Sequence, residues 1–95
     1  MIRRQLTFRT HALQRLFERR ISVAEVRHVL EHGDVIEDYP TDFPFPSCLV
    51  LAHVGGRPVH VVAADNVRGD ETIVITVYEP DPGKWEPDWK TRRPA

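Results

Sequence analysis

A helical spacing of apolar residues predicts a first helix over residues 11–19. At about 100° per residue, one stripe of this helix contains four apolar side chains, Ala12, Leu13, Leu16 and Phe17. We expect this stripe to face the core. Thr10 precedes it and offers the hydroxyl acceptor typical of an N-cap. His11, Arg15 and Arg19 follow one another at i, i+4 and i+8, so they form a row on another face.

A second helix is predicted to start at a capping box and to run to about His32. Ser22 and Glu25 have the spacing in which each side chain accepts from the other residue's backbone N–H. Its apolar stripe is Val23, Val26, Val29 and Leu30. Gly33 follows as a C′ residue free to adopt positive φ. Since only two or three residues join the helices, we expect a helical hairpin.

The rest of the chain has the β-branched, apolar pattern of strands. Four strands are predicted, over residues 35–39, 48–54, 57–64 and 72–78. Gly55-Gly56 is a two-residue hairpin turn, which places His60 opposite Leu51 and His53 opposite Pro58. Residues 5–8 fit either a short edge strand or an apolar lead-in to the first helix.

This order of elements predicts an α+β fold, a helical hairpin packed on a twisted antiparallel sheet of three or four strands. The chain has 95 residues and is expected to form one domain, with a core over about 5–86 and a tail over 87–95. The middle strands are apolar on both faces, whereas the helices cover only one. We therefore expect the proline-rich loop 40–47 and the tail to cover the other face, or that face to be a concave site.

Charge is distributed unevenly although the net charge is only −1. Residues 1–20 carry six arginines and one acid, whereas residues 21–48 carry one arginine and six acids. Such a dipolar surface can present a local basic patch to phosphate without a basic pI. Chance clustering on solvated faces is the alternative. No signal peptide or membrane span is evident, and Cys48 is the only cysteine, which favours a cytoplasmic protein.

Four residues form a suitable set for metal-free RNA cleavage, namely His11, Arg15, His60 and Tyr78. An imidazole can move a proton near neutral pH, a guanidinium can hold phosphate, and a phenol can donate to a developing oxyanion. The alternative is structural: the histidines cap or hydrogen-bond, Arg15 pairs with an acid, and Tyr78 covers the core edge.

Two further groups have a chemical and a structural interpretation. His28 and His32 have the i, i+4 spacing of zinc ligands but lack a clear third ligand, and the dipole at a helix C-terminus favours histidine in any case. Lys84 and Trp85 begin a basic, aromatic tail that could stack bases or simply anchor the tail on the sheet.

The sequence resembles a bacterial family, the domain of unknown function 4258, over roughly residues 7–86. The resemblance rests on two blocks, Phe8-x-x-His11-Ala12-x-x-Arg15-x-x-x-Arg19 and Arg57-Pro58-x-His60-Val61-Val62 followed by Ile75-Thr76-Val77-Tyr78-x-Pro80-Asp81. It implies a barnase/colicin/RelE-like ribonuclease fold and a toxin-like component of a toxin–antitoxin pair. The chain departs from the family at Arg20, where a glycine is usual, and at Val59, where leucine is usual.

We therefore expect a small, metal-independent, ribonuclease-like toxin without a cofactor, whose partners are RNA and a small antitoxin protein. The resemblance places His11, Arg15, His60 and Tyr78 at the catalytic site. The residues expected to bind substrate are Arg19, Thr76, Lys84 and Trp85. The alternative is a protein-binding module of the same fold that catalyses nothing.

Overall fold

The computed structural model describes residues 2–94, which form two helices and five strands of an α+β fold. The helices are α1 (Thr10–Arg19) and α2 (Val23–His32). The strands are β1 (Gln5–Phe8), β2 (Asp34–Tyr39), β3 (Ser47–Val54), β4 (Arg57–Asn66) and β5 (Glu71–Tyr78). No helix among these residues is long and apolar enough to cross a membrane.

The sheet is mixed and has five strands, in the order β1-β5-β4-β3-β2. The four predicted strands are present and pair antiparallel, but the predicted sheet of three or four strands lacks the fifth strand, β1. Residues 5–8 form a true strand, and β1 pairs parallel with the first half of β5, from Glu71 to Val74. The second half of β5 lies beyond the end of β1, and α1 packs against β5.

Both helices cover the same face of the sheet, because their buried residues belong to one apolar cluster with β3, β4 and β5. Helix α1 contacts β5, whereas α2 contacts β3 and β4. The helices are joined by three residues, as the predicted helical hairpin requires, but each packs on the strands and not on the other helix. This arrangement lets each helix bury its own apolar residues against strands.

The predicted apolar stripe of α1 is only half buried. Ala12 and Leu16 are buried, but Leu13 is 49% and Phe17 is 90% exposed. The physical reason is that α1 has mainly β5 beneath it, so only a narrow row at i and i+4 reaches the sheet. Val23 of α2 is likewise 46% exposed, while the other three residues of its stripe are buried.

The helix ends confirm one predicted cap and correct two. The Ser22–Glu25 capping box is present. Thr10 is inside α1, and Arg9 occupies the N-cap without a side-chain bond. Gly33 has a φ of −77° and so does not use its freedom for positive φ. A glycine fits there because a Cβ would lie 2.5 Å from the Val29 carbonyl oxygen.

The β3–β4 hairpin has the predicted turn and register. Gly55 and Gly56 both have positive φ, as a type I′ turn requires. His60 pairs with Leu51, and on its other side it pairs with Tyr78 of β5, so these three residues share a face. That face is turned away from the helices, because Val61, the neighbour of His60, lies in the helix-side core.

The segment after β5 covers the centre of this second face. Trp85 is only 3% exposed and its ring centroid lies 4.6 Å from that of His60. Trp85 also forms an isolated bridge with Arg92, which folds the tail back on itself. In the proline loop, Phe43 is 91% exposed and covers no part of this face, whereas Phe45 is half-buried.

Candidate functional site

An open pocket of about 650 Å³ lies between α1, the end of β5 and the tail. Six of the eight residues that the sequence assigned to a site line this pocket: Arg15, Arg19, Thr76, Tyr78, Lys84 and Trp85. The remaining lining residues are Glu79, Pro80, Asp81, Pro82 and Arg92. The row predicted on α1 therefore reaches the pocket at two of its three positions.

The cationic side chains in the pocket differ in how firmly they are paired. Within residues 2–94, Arg19 and Lys84 have no ion pair. Arg15 has a long contact of 3.6 Å with Glu18, and both side chains are about half exposed. Exposed pairs of this kind contribute little to stability. Arg15, Arg19 and Lys84 are therefore available to bind an anion.

Arg92 is a fourth cation in the pocket, but Glu37 of β2 neutralises it. Its guanidinium donates two hydrogen bonds to that carboxylate, at 2.8 and 3.0 Å, and lies 4.6 Å above the Trp85 ring. The Arg92 hydrogen bonds lower the pKa of Glu37, and Tyr39 donates a further short hydrogen bond to the same carboxylate. Arg92 thus fixes the tail on the sheet and shapes one wall of the pocket.

The acidic residues of the pocket are also partly occupied. Glu79 accepts from Arg57 at 2.9 Å, in an ion pair at the rim. Asp81 accepts a hydrogen bond from the backbone N–H of Gly83 at 2.8 Å, which tightens the turn after β5. Only Glu79 is paired with a cation, and within residues 2–94 neither acid pairs with Arg15, Arg19 or Lys84.

His60 does not line the pocket, although the sequence predicted it at the catalytic site. Its side chain is completely buried, and both ring nitrogens have partners. Nε2 lies 2.7 Å from the carbonyl oxygen of Trp89, and Nδ1 lies 3.3 Å from the Tyr78 hydroxyl. Burial lowers the pKa of the imidazole below its ordinary value, so the ring is neutral at pH 7.

Tyr78 connects buried His60 to the pocket. Its ring contacts the imidazole edge to face, with a centroid distance of 5.2 Å, and its side chain also lines the pocket. Burial raises the pKa of the phenol, so the hydroxyl keeps its proton at neutral pH. Tyr78 can therefore donate or accept a hydrogen bond at the pocket wall.

The two remaining predictions for this site need correction. His11 is exposed one turn before Arg15 and does not line the pocket. Trp85 does contribute to the pocket wall, but its ring is packed between His60 and Arg92 and is nearly inaccessible. It cannot stack on a base in this position, and its role here is to hold the tail.

Sequence reasoning did not assign Glu79, Asp81, Pro82 or Arg92 to the site. The signal for the first three was the position of the segment directly after β5, the strand that carries Thr76 and Tyr78. Arg92 had no such signal, because its pairing with Glu37 joins residues 55 positions apart. Only the folded tail brings that guanidinium to the pocket.

The histidine pair on α2 lies elsewhere. The rings of His28 and His32 are tilted by 47° to each other, with centroids 4.9 Å apart. Across residues 2–94, no three His, Cys, Asp or Glu side chains are placed to share a metal ion. The spacing that suggested zinc ligands therefore has no third ligand in this fold.

Comparison with known proteins identifies a family. The family model of a domain of unknown function (DUF4258) matches residues 8–79, which include both helices and strands β2 to β5 but only Phe8 of β1. No curated protein and no solved structure matches the chain. The matched region contains the α1 and β5 walls of the pocket, whereas Lys84, Trp85 and Arg92 lie beyond it.

Proposed function

This chain belongs to the DUF4258 family, and from that premise we propose that it is a ribonuclease-like toxin of a bacterial toxin–antitoxin pair, with a RelE/barnase-like arrangement of helices and sheet. The observation that carries the proposal is the convergence of three cations, of which only Arg15 has an ion pair and that a long, exposed one, with the Thr76 and Tyr78 hydroxyl groups on one pocket. These are the groups that bind and activate a phosphodiester.

The electrostatics of the pocket favour RNA phosphate as the ligand. Arg15 and Arg19 stand one helical turn apart on α1, so their guanidinium groups can hold the same phosphate or two successive ones. Lys84 faces them from the tail side of the pocket. The volume of about 650 Å³ lies within the range of small-molecule sites and accommodates a nucleotide.

The proposed reaction is attack of a ribose 2′-oxygen on the neighbouring phosphorus. A bond forms from that oxygen to phosphorus, the bond from phosphorus to the 5′-oxygen breaks, and one proton passes from the first oxygen to the second. Arg15, Arg19 and Lys84 stabilise the charge that develops on the phosphate. Tyr78 is the pocket residue in contact with an imidazole, so we assign the transfer of this proton to Tyr78.

RNA binding and cleavage by single variants test this proposal. Arg15→Ala and Arg19→Ala each remove one phosphate contact and leave the core intact, since both residues are exposed. We expect each variant to relieve growth arrest, to slow RNA cleavage, and to reduce the salt dependence of binding by about one phosphate contact. Arg27→Ala, at an exposed position on α2 outside the pocket, is the matched control.

Two outcomes would contradict the proposal. One is a wild-type protein that neither arrests growth nor cleaves RNA when folded and pure. The other is a pair of folded α1 variants that bind and cleave RNA as well as Arg27→Ala does. A non-cleavable 2′-deoxy oligonucleotide separates binding from chemistry, because it reports the phosphate contacts alone.

A protein-binding role without catalysis is the second candidate, and the exposed side of α1 favours it. Leu13 is 49% and Phe17 is 90% exposed at i and i+4, next to Arg9 and Arg20. An apolar pair within a basic surface fits an acidic, partly apolar helix of a partner protein, the chemistry expected of an antitoxin. For that role, Phe17→Glu should abolish the complex with the proposed antitoxin protein, and no RNA should be cleaved.

A further inference from the structure

The hydrogen bonds of His60 determine which of its nitrogens carries the proton. The Trp89 carbonyl oxygen can only accept, so Nε2 of His60 must donate across the 2.7 Å contact. The neutral ring then has a bare Nδ1, which can only accept. Its partner at 3.3 Å is the Tyr78 hydroxyl, which therefore donates its single proton to His60.

This arrangement has a consequence for the pocket. While Tyr78 donates to His60, its oxygen presents only lone pairs toward the pocket, which disfavours a bound anion. A bound anion would instead attract the Tyr78 proton. His60 Nδ1 would then lose its only donor in a completely buried position, and an unpaired buried nitrogen destabilises the protein.

Protonation of Nδ1 removes this conflict. A doubly protonated ring still donates from Nε2 to the Trp89 carbonyl and now donates from Nδ1 to the Tyr78 oxygen. Tyr78 in turn donates its own proton to the anion. We propose that anion binding in the pocket is coupled to the uptake of one proton by His60, with Tyr78 reversing its hydrogen bond between the two sites. This inference rests on the proposed function and assigns His60 as a positioning residue that acts through Tyr78.

The charges around His60 are balanced so that an anion can shift its protonation. Glu37 of β2 favours the charged ring, and Arg92 of the tail opposes it. These two groups pair with each other and partly cancel. Tyr78 of β5 and Trp85 of the tail are uncharged, and Leu51 of β3 is apolar. Burial is the largest influence on His60 and lowers its pKa in the protein without an anion. A nearby phosphate dianion would raise that pKa, because a negative charge favours the protonated ring.

Sulfate is the probe for this coupling, because it is a phosphate-like dianion whose charge is constant between pH 5 and 8. We expect the affinity of the full chain for sulfate to rise on acidification by up to tenfold per pH unit, the limit for one proton. In NMR titrations, the pKa of His60 should be higher with saturating sulfate than without. Calorimetry in buffers of different ionisation enthalpy should show up to one proton taken up per anion.

Two variants and a control assign the effect. Tyr78→Phe removes the hydroxyl that connects the sites, so its sulfate affinity should be lower and should lose the His60-dependent pH profile. His60→Gln keeps a donor and an acceptor but cannot titrate, and should also give a flat profile. His28→Gln, at an exposed position on α2 outside the pocket, should keep the pH profile of the wild type. Tyr78→Phe suffices if His60→Gln does not fold.

The outcomes separate this inference from the proposed function. If sulfate and the 2′-deoxy oligonucleotide do not bind at any pH, the phosphate pocket itself is refuted. If both bind but the pKa of His60 does not change, the pocket stands and the coupling is refuted. If Tyr78→Phe retains the full pH profile, Tyr78 does not connect the two sites.

Discussion

The two faces of the sheet are built on different physical principles. The helix-side face is aliphatic: Val26 and Val29 of α2 and Val61 of β4 are fully buried in one cluster. The tail-side face places His60 and Trp85 at its centre. Aliphatic packing depends on the volume of the side chains and needs no particular orientation between them. Each polar group on the tail-side face, in contrast, depends on a specific hydrogen-bond partner.

This difference explains why the pocket lies at the border of the tail-side face. An aliphatic face offers no groups that recognise an anion. The tail-side face already contains satisfied polar networks, and the pocket is formed where one of these, His60–Tyr78, reaches solvent beside the exposed cations of α1. Function and stability are therefore linked on the tail-side face and separable on the helix-side face.

The largest expected effect comes from removing the single ring that holds the tail. Trp85→Ala should lower the free energy of unfolding by about 3–5 kcal/mol, because it deletes a buried aromatic ring and leaves His60 uncovered. Urea denaturation measures the change. Phe17→Ala removes an aromatic ring that is 90% exposed and should change stability by no more than about 0.5 kcal/mol. Equal effects of the two substitutions would show that Trp85 does not anchor the tail.

On the helix-side face, the expected effect of one truncation is smaller because the burial is shared among many side chains. Val61→Ala removes two methyl groups from a fully buried position and should cost about 2 kcal/mol, including the cavity left behind. Val67→Ala, at a position 62% exposed, is the matched control. Unlike Trp85→Ala, Val61→Ala should leave the affinity for sulfate unchanged, and a loss of affinity would contradict the separation of the two faces.

Acid should destabilise the tail-side face first. The pKa of His60 is lowered by burial, so the unfolded chain binds a proton below about pH 6.5 that the folded chain does not. Its contribution to stability is complete above that pH and decreases as the pH falls toward the lowered pKa, by at most about 1.4 kcal/mol per pH unit. The carboxylates whose pKa is lowered, such as Glu37, lose their contribution only at more acid pH.

The difference in unfolding free energy between the wild type and His60→Gln isolates this contribution. The other four histidines are present in both proteins and cancel. We expect the difference to change between pH 6.5 and the lowered pKa and to be constant above that range. A constant difference over the whole range would mean that His60 titrates alike in the folded and unfolded chain.

Local sequence signals predicted the local features of this fold. The Ser22–Glu25 box, the Gly55-Gly56 turn and the β3–β4 register depend on residues close in the chain, and all three are confirmed. The pairing of β1 with β5 joins residues 66 positions apart and was not visible, because four alternating residues fit a strand or a lead-in equally well. Likewise, helical periodicity predicted the apolar stripe of α1 but not the width of the sheet beneath it, which determines how much of the stripe is buried.

The sequence predicted most of the residues that line the pocket but not how deeply each one is buried. Resemblance to the family identified the residues that reach the pocket from α1 and β5, since their positions follow from the elements that carry them. It did not separate Tyr78, which lines the pocket, from His60, which lies behind it. Burial depends on where the tail folds, and the tail is held by long-range contacts such as that of Arg92 with Glu37.

The smallest expected effect concerns the backbone between the helices, at Arg20. Arg20 has a left-handed conformation with a φ of 54°, and its N–H closes the end of α1 on the Leu16 and Phe17 carbonyls. A glycine adopts this conformation without the steric cost that a side chain incurs. Arg20→Gly should therefore raise the free energy of unfolding by about 1 kcal/mol. Arg20→Ala also removes the charge but keeps the Cβ, so it should give no such gain. Equal stabilities of the two variants in urea would exclude backbone strain at this turn. A gain in stability confined to the glycine variant would show that chain conformation, and not packing, limits the stability of the helix-side face at this position.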